Sequence, residues 1–279
     1  MSKPAVPSLS AADLARFCQF LYSRTGLLYG ESKRFYIERR VVERMAAVEI
    51  TQFSAYYALL QNSSAETEQL INSFTVNETY FYREENQLRS LSRSLLPELV
   101  SRRSPGDLVR IWSVPCSTGE EPYSIAIWLL ENWPLVDAYN IEIVGSDIDT
   151  RVLAEAELGL YSERAVSRLS PELVARYFEK VGDRKQIIND LRESVKFTQV
   201  NLMDAATTAR HGQFDVIFCR NVLIYFDDAS RLAAAHNLFT TLRRGGFICL
   251  GHSESMARIS DRFEVCRFED GIVYQRPEQ

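Results

Sequence analysis

The sequence predicts an α/β protein, a mostly parallel, doubly wound sheet preceded by an all-helical front. From Leu108 onward, short apolar runs alternate with helical patterns, as successive βαβ units require. Before that point apolar residues recur at helical spacing and no such alternation exists. Three of the later runs also end abruptly in polar residues. Phe214–Cys219 is followed by Arg220 and Asn221, with Tyr225 four residues further on. The run ending at Val114 continues as Pro-Cys-Ser-Thr-Gly-Glu-Glu, and the one ending at Gly145 as Ser-Asp-Ile-Asp149. Ligands of open α/β sheets sit beyond the carboxyl ends of the strands, so three such ends imply one crevice.

The elements follow in order. Residues 1–75 form the helical domain. Ser10-Ala-Ala-Asp13 offers a helix start, and Leu14, Phe17 and Leu21 keep its period. Gly26 and Gly30 mark a turn. A second helix, Ser32 to Val48, carries Ile37, Val41, Met45 and Val48 on one face. Thr51–Gln61 and Glu66–Phe74 continue the helical pattern. Residues 76–105 hold a polar-aromatic segment and a linker helix, Glu84–Arg102, which Arg102-Arg-Ser-Pro-Gly106 ends. Residues 106–279 form the sheet domain, with strands at Leu108–Val114, Ile141–Ser146, Phe214–Cys219 and Gly246–Leu250. Helices at Pro122–Asn132, Thr150–Leu158 and Asp228–Leu242 separate them. Phe263–Phe268 and Gly271–Gln275 close the chain as a hairpin. A small insertion at about 161–200 interrupts the alternation, with a helix after Ser170-Pro171 and two strand-like runs, Gln186–Ile188 and Ser194–Thr198.

Composition excludes several classes. Hydrophobic residues make up 46% and charged residues 25%, as in a water-soluble globular protein. No apolar run approaches the ~18 residues of a membrane span, so no direct membrane insertion is expected. Met1–Ser8 lacks the apolar core of a secretory signal, and a cytoplasmic location is the expectation. The five cysteines are scattered without Cys-x-x-Cys, and the three histidines are scattered too, so neither disulfides nor a metal site is expected. The net charge is −5, yet residues 1–50 hold eight Lys/Arg against five Asp/Glu. That end is therefore +3 and the rest −8. A basic front suits an anionic partner but is too sparse for nucleic acid.

Each candidate site residue has a plainer reading beside the functional one. The turn Ser113–Gly119 joins a strand to a helix through small residues, which lets a ligand approach the backbone. It could equally be a tight connection. Glu120 and Glu121 at the helix start would repel a phosphate, so a cationic or zwitterionic ligand fits better. Asp147, at a strand end, suits ribose hydroxyls; the plainer role is capping the helix at Thr150, which Asp149 fills equally well. Asp147 is accordingly assigned to binding and Asp149 to capping. Arg220 could make a structural ion pair and Tyr225 could pack a helix, but three polar residues at one strand end favour a site. Lys33, Arg40 and Arg44 form a stripe that serves either solvation or a partner. His252 lacks a nucleophile elbow and reads as a structural hydrogen bonder. On residues alone, Asn77–Arg83 reads as core aromatics with snorkelling charges.

Together these segments resemble the CheR family, the chemotaxis receptor glutamate methyltransferases. The matching stretches are Asn77-x-Thr79-x-Phe81-x-Arg83, Ser117-Thr-Gly-Glu-Glu-Pro-Tyr-Ser124, Ser146-Asp-Ile-Asp-Thr150, Cys219-Arg-Asn-Val-x-Ile-Tyr-Phe-Asp227 and Gly251-His-Ser-Glu254. Five motifs in order over residues 77–254 make the resemblance specific. It implies a helical N-terminal domain and a class I (Rossmann-like) methyltransferase domain with a small inserted β-subdomain. It implies S-adenosylmethionine as methyl donor, S-adenosylhomocysteine as product, and methyl esterification of glutamates on the cytoplasmic helical bundle of chemoreceptors. By the same resemblance, Arg83 and Tyr225 are the catalytic residues. Asn77, Thr79, Arg83, Glu121, Asp147, Asn201, Leu202, Arg220 and Asn221 line the cofactor, which overturns the plain reading of Asn77–Arg83.

The implied chemistry is coherent. A glutamate carboxylate is ionised near neutral pH and needs no general base to attack a methyl group in line. The enzyme must align the reactants and exclude water. Arg83 can fork the carboxylate, and Tyr225 can orient its second oxygen or the methyl group. Lys33, Arg40 and Arg44 become the expected contact with the glutamate-rich receptor, with Arg34 and Arg39 in reserve. Some family members add a receptor C-terminal pentapeptide to the β-subdomain as a strand. The turn Val181-Gly-Asp-Arg-Lys185 is shorter than theirs, so independence of that peptide is expected. The assumed state is a monomer. The competing readings are a methyltransferase acting on another substrate and a catalytically silent receptor-binding scaffold. A nicotinamide-dependent oxidoreductase is disfavoured by the missing G-x-G-x-x-G and the Glu pair.

Overall fold

The structure is a computed structural model that describes residues 9–279. The expectations on residues 1–8 lie outside the described residues. The chain divides into two units, Met1–Val76 with Tyr225–Ser230, and Asn77–Ile224 with Arg231–Gln279.

The helical unit contains α1 (Ala11–Thr25), α2 (Arg34–Ala47), α3 (Phe53–Asn62) and α4 (Ser64–Phe74). Local chemistry sets the ends. Ser10 accepts from the Asp13 N–H to cap α1, and Ser63 caps α4 through the Glu66 N–H. The expected periodic residues Leu14, Phe17, Leu21, Ile37, Val41 and Met45 are all buried in one cluster. Each such side chain contributes about 1.5–3 kcal/mol by leaving water. Leu27 forms an antiparallel bridge to Phe226, and the Tyr22 hydroxyl donates to Asp227 at 3.0 Å. These contacts tie the segment Tyr225–Ser230 to the helical unit, an arrangement the sequence reading lacks.

The expected stripe Lys33, Arg40, Arg44 is not three open cations. Lys33 is exposed. Arg40 donates to the Ser73 carbonyl and stacks 3.6 Å from the centre of the Tyr36 ring. Arg44 forks Glu66 at 3.0 and 2.6 Å, and Tyr56 donates to the same carboxylate at 2.8 Å. Arg34 is held by Glu31 and Glu38, and Arg39 stays exposed beside Glu43. Helical spacing of seven and four residues revealed the stripe but not the acid that α4 brings against Arg44.

The second unit opens with a strap, Asn77–Glu84, and a helical segment built of α5 (Glu85–Ser90), a π-turn at Leu91–Leu95 and α6 (Leu96–Val100). Next come β1 (Leu108–Ser113), α7 (Glu120–Asn132), β2 (Asn140–Asp147) and α8 (Thr150–Leu158). The inserted region holds β3 (Leu160–Tyr161), α9 (Glu163–Val166), α10 (Pro171–Tyr177), β4 (Phe178–Val181) and β5 (Arg184–Ile187). Then follow α11 (Asn189–Ser194), β6 (Val195–Gln199), α12 (Ala205–Ala209), β7 (Phe214–Cys219), α13 (Asp228–Thr241), β8 (Leu242–Leu250), β9 (Glu264–Phe268) and β10 (Gly271–Gln275). The main sheet runs β6-β2-β1-β7-β8-β10-β9, and only β10 runs antiparallel to its neighbours, β8 and β9. β1 lies between β2 and β7, so the order reverses beside it and the polar ends of all three strands adjoin.

One expectation needs correction. The run near Ser194–Thr198 belongs to the main sheet, because β6 pairs parallel with β2 from Ile143↔Val195 to Asp147↔Gln199. Alternation identified a strand there but not its sheet. The contact that decides is Phe197, which packs 5.5 Å from Tyr123 of α7. The small sheet is β3-β5-β4 instead. Its strand β4 escaped notice because only Phe178 of its four residues turns inward.

Removing a carboxylate that organises the helical unit tests this packing. Glu66→Ala leaves Arg44 and Tyr56 without their shared acceptor and is expected to cost about 2 to 3 kcal/mol in denaturant unfolding. A loss below about 0.5 kcal/mol would mean the cluster adds nothing beyond a surface pair.

Candidate active site

Four of the five described non-glycine residues with positive φ gather in two strand-end turns and the strap. They are Tyr82 (58°), Glu84 (54°), Ser117 (48°) and Asn221 (59°). Such conformations cost free energy and persist only where surrounding contacts over-determine them. Each contact set is identifiable.

The strap is anchored along its length. Asn77 Nδ2 donates to Asp149 at 3.0 Å. Phe81 is fully buried, edge-on to Tyr161 at 4.8 Å and Phe178 at 5.2 Å, and its N–H donates to the Ala165 carbonyl. The Tyr82 N–H donates to Ser124 Oγ, and its ring packs on Trp128. Arg83 therefore sits between two left-handed residues, with its guanidinium donating to the Glu78 carbonyl at 2.7 Å. Thr79 is half-buried in the same strap.

At the end of β1, the Ser117 N–H donates to Asp147 at 2.9 Å. Gly119 starts α7 at φ 91°, where an added Cβ would come within 2.9 Å of the Ala156 Cβ. This turn needs its single glycine for both backbone conformation and space. Asp147 is buried and also accepts from the Asp149 N–H at 3.0 Å. Burial pushes its carboxyl up to about 6, against the N–H bonds that favour the ionised form. The Ile148 N–H is a third donor to this carboxylate, which leaves one of its about four acceptor positions open. Asp149 caps α8 as expected, through the Arg151 and Val152 N–H groups, and holds Asn77 as well. Beyond β6, the Val200 N–H binds the Asp147 carbonyl. Asn201 accepts from the Met203 N–H, and buried Leu202 gives its carbonyl to Asn237.

Arg220, at the end of β7, is buried. It donates to Glu121 at 2.6 Å, lies 3.2 Å from Glu84 and donates to the Arg83 carbonyl at 2.8 Å. Burial raises both carboxyls. For Glu84, Arg220 and His252 outweigh it and the pKa falls below the ordinary value; for Glu121, burial prevails and the pKa rises. Glu121 also accepts from Ser113 Oγ at 2.8 Å. The plain reading of Arg220 as an ion-pair residue thus holds. Glu84 is the partner that sequence reasoning missed; its one signal was adjacency to Arg83. Tyr225 is exposed and belongs to the segment that packs with the helical unit.

The donor set of the second unit fits a zwitterionic ligand. Asp147 and Glu121 supply acceptors, while Arg220 Nε is a buried donor without a protein partner. Comparison with known proteins agrees. Residues 77–272 match the model of the CheR methyltransferase SAM-binding domain, and residues 12–75 that of the CheR methyltransferase all-alpha domain. Chemotaxis protein methyltransferase 2 of Vibrio cholerae is 46% identical over 272 residues, covering 96% of this chain and 94% of its own. The chemotaxis protein methyltransferase of Escherichia coli is 35% identical over 264 residues, covering 92% and 89%.

The ion cluster makes a prediction of its own. Arg220→Met leaves Glu84 and Glu121 without their shared cation and is expected to cost about 3 kcal/mol at neutral pH. Without the cation both carboxyls titrate above their unfolded values, so the folded state takes up protons and the deficit shrinks as pH falls from about 7 to 5. Denaturant unfolding at several pH values checks both; a deficit that grows with acidity would contradict the assignment.

Proposed function

The chain belongs to the CheR methyltransferase family, and on that premise we propose that it methylates glutamate side chains on the cytoplasmic helices of chemoreceptors, forming methyl esters. Its cofactor is S-adenosylmethionine, which when bound supplies an electrophilic methyl group on a positively charged sulfur. The observation that carries the proposal is Arg83, a half-buried guanidinium fixed in a strained strap, whose backbone carbonyl is held by Arg220.

The substrate carboxylate is itself the nucleophile, so no residue has to remove a proton. Arg83 holds one face of that carboxylate and fixes its line of approach. Tyr225 orients the second oxygen. Asp147 would take a ribose hydroxyl through its open acceptor position, and Asn201 and Leu202 would lie on the adenine side. Glu121, Arg220, Asn221, Asn77 and Thr79 complete the cofactor contacts. The acids suit a ligand carrying a sulfonium and an amino group. The receptor, rich in glutamates, meets the exposed Lys33 and the exposed Arg39, which leaves Glu43 to do so, with Arg40 and Arg44 available only by exchanging their internal partners. The protein acts in the cytoplasm as a monomer; no described helix is long and apolar enough to cross a membrane.

The β4–β5 turn pairs Val181 with Arg184, leaving only Gly182 and Asp183 at its tip. This short hairpin supports function without a tethering receptor pentapeptide. Calorimetry with the receptor's C-terminal pentapeptide is expected to show no binding, and a measurable heat would contradict it.

Transfer of radiolabelled methyl to chemoreceptor cytoplasmic fragments tests the central claim. Base-labile counts released as methanol are expected, and Arg83→Ala should lower the rate about a hundredfold or more. Intact cofactor binding with no counts across the host's receptors would favour a scaffold. Base-stable counts would favour a different acceptor.

A further inference from the structure

We infer that Glu254 is a positioning residue for cofactor binding, holding the Arg220–Asn221 turn by filling an anion cradle made of that turn's own backbone. The inference rests on the reading of Arg220 and Asn221 as cofactor contacts.

β7 and β8 run parallel and end together at Cys219↔Leu250, so the turns that follow them are neighbours. After β8, the Glu254 N–H donates to the Gly251 carbonyl at 2.9 Å and the chain folds back. The Glu254 carboxylate then meets four backbone N–H groups. Oε2 accepts from Asn221 at 2.7 Å and Gly251 at 2.9 Å. Oε1 accepts from Val222 at 3.0 Å and Leu223 at 2.7 Å. Successive N–H groups pointing to one side form a concavity selective for anions, and this one is occupied by the protein's own side chain. A carboxylate has about four acceptor positions, and all are used.

Three features depend on that plug. Asn221 is left-handed, a conformation the converging N–H groups require. Gly251 has no room for a side chain, since an added Cβ would lie 2.6 Å from Asn221 Nδ2 and 2.8 Å from Glu254 Oε2. Arg220 precedes Asn221 directly, so the direction of its guanidinium follows from the same turn. His252 of the same motif is exposed and reaches only Glu84, at 3.0 Å. Of this motif, Glu254 grips the Arg220–Asn221 turn itself, while His252 touches only the Glu84 that pairs with Arg220.

Geometry also says what each substitution does. In Glu254→Gln the amide nitrogen cannot accept, so two of the four donors lose their partner. In Glu254→Ala all four do, and the cradle is left open to a small carboxylate. S-adenosylhomocysteine affinity is expected to fall about tenfold in E254Q and further in E254A. The KM for S-adenosylmethionine should rise while the KM for receptor fragment stays fixed. Acetate at tens of millimolar should restore part of the E254A loss, and chloride at equal ionic strength should not. Asn221→Ala serves as the reference. Weakened binding in N221A with unchanged binding in E254Q and E254A would overturn the inference. Unchanged binding in all three would overturn the reading of the turn as a cofactor contact, and this inference with it. A loss confined to E254A that acetate leaves unrepaired would mark a general packing defect and also overturn it.

Discussion

The buried guanidinium of Arg220 is the constraint on which the site depends. From the end of β7 it reaches Glu121 at the start of α7, Glu84 at the end of the strap, and the carbonyl of Arg83 in the same strap. One side chain thereby ties three segments that the chain visits far apart. Removing such charges from water is expensive, and a buried ion pair contributes little net stability when compared with a well-packed apolar core. Its value here lies in direction. A planar fork with fixed donors admits few arrangements of its acceptors, so the strap carrying Arg83 has a defined height and angle above the sheet.

The same turn is gripped from its other side. Arg220 sends a cation into carboxylates, while the backbone just after it sends N–H groups into a further carboxylate, Glu254. Opposite charges pull the side chain and the main chain in separate directions, and Asn221 is left with a positive φ between them. Tyr82, Glu84 and Ser117 are held comparably, by packing on Trp128, by Arg220 and His252, and by Asp147. Charge-assisted hydrogen bonds replace flexible loops with a pre-set frame, which suits a reaction limited by alignment rather than by proton transfer.

How legible this was varied by the kind of signal. Helical spacing of Leu14, Phe17, Leu21, Ile37, Val41 and Met45 gave the first core, because one buried face leaves a 3.6-residue imprint. Polar residues at the ends of β1, β2 and β7 pointed to strand ends that adjoin, and the sheet order places these three strands side by side. The role of Arg44 was not legible, since its partner Glu66 lies 22 residues away with no local mark. The roles of Glu84 and Glu254 were not legible for the same reason: a carboxylate that serves distant donors resembles any exposed acid. Alternation identified β6 as a strand, but only its parallel pairing with β2 and its packing on Tyr123 assigned it to the main sheet.

The sequence by itself determined the fold class, the helical front, the strands that end in polar residues and, through its ordered motifs, the family. These are properties of local pattern, set by periodicity, capping and turn chemistry within a few residues. Only the tertiary structure decided which acid each arginine takes, that Asp149 serves both a helix and Asn77, and that the segment Tyr225–Ser230 folds with the helical unit. It alone revealed the carboxylate that fills the cradle after β7. Such pairings depend on which surfaces adjoin once the sheet has closed, and charges carry no record of their partners along the chain.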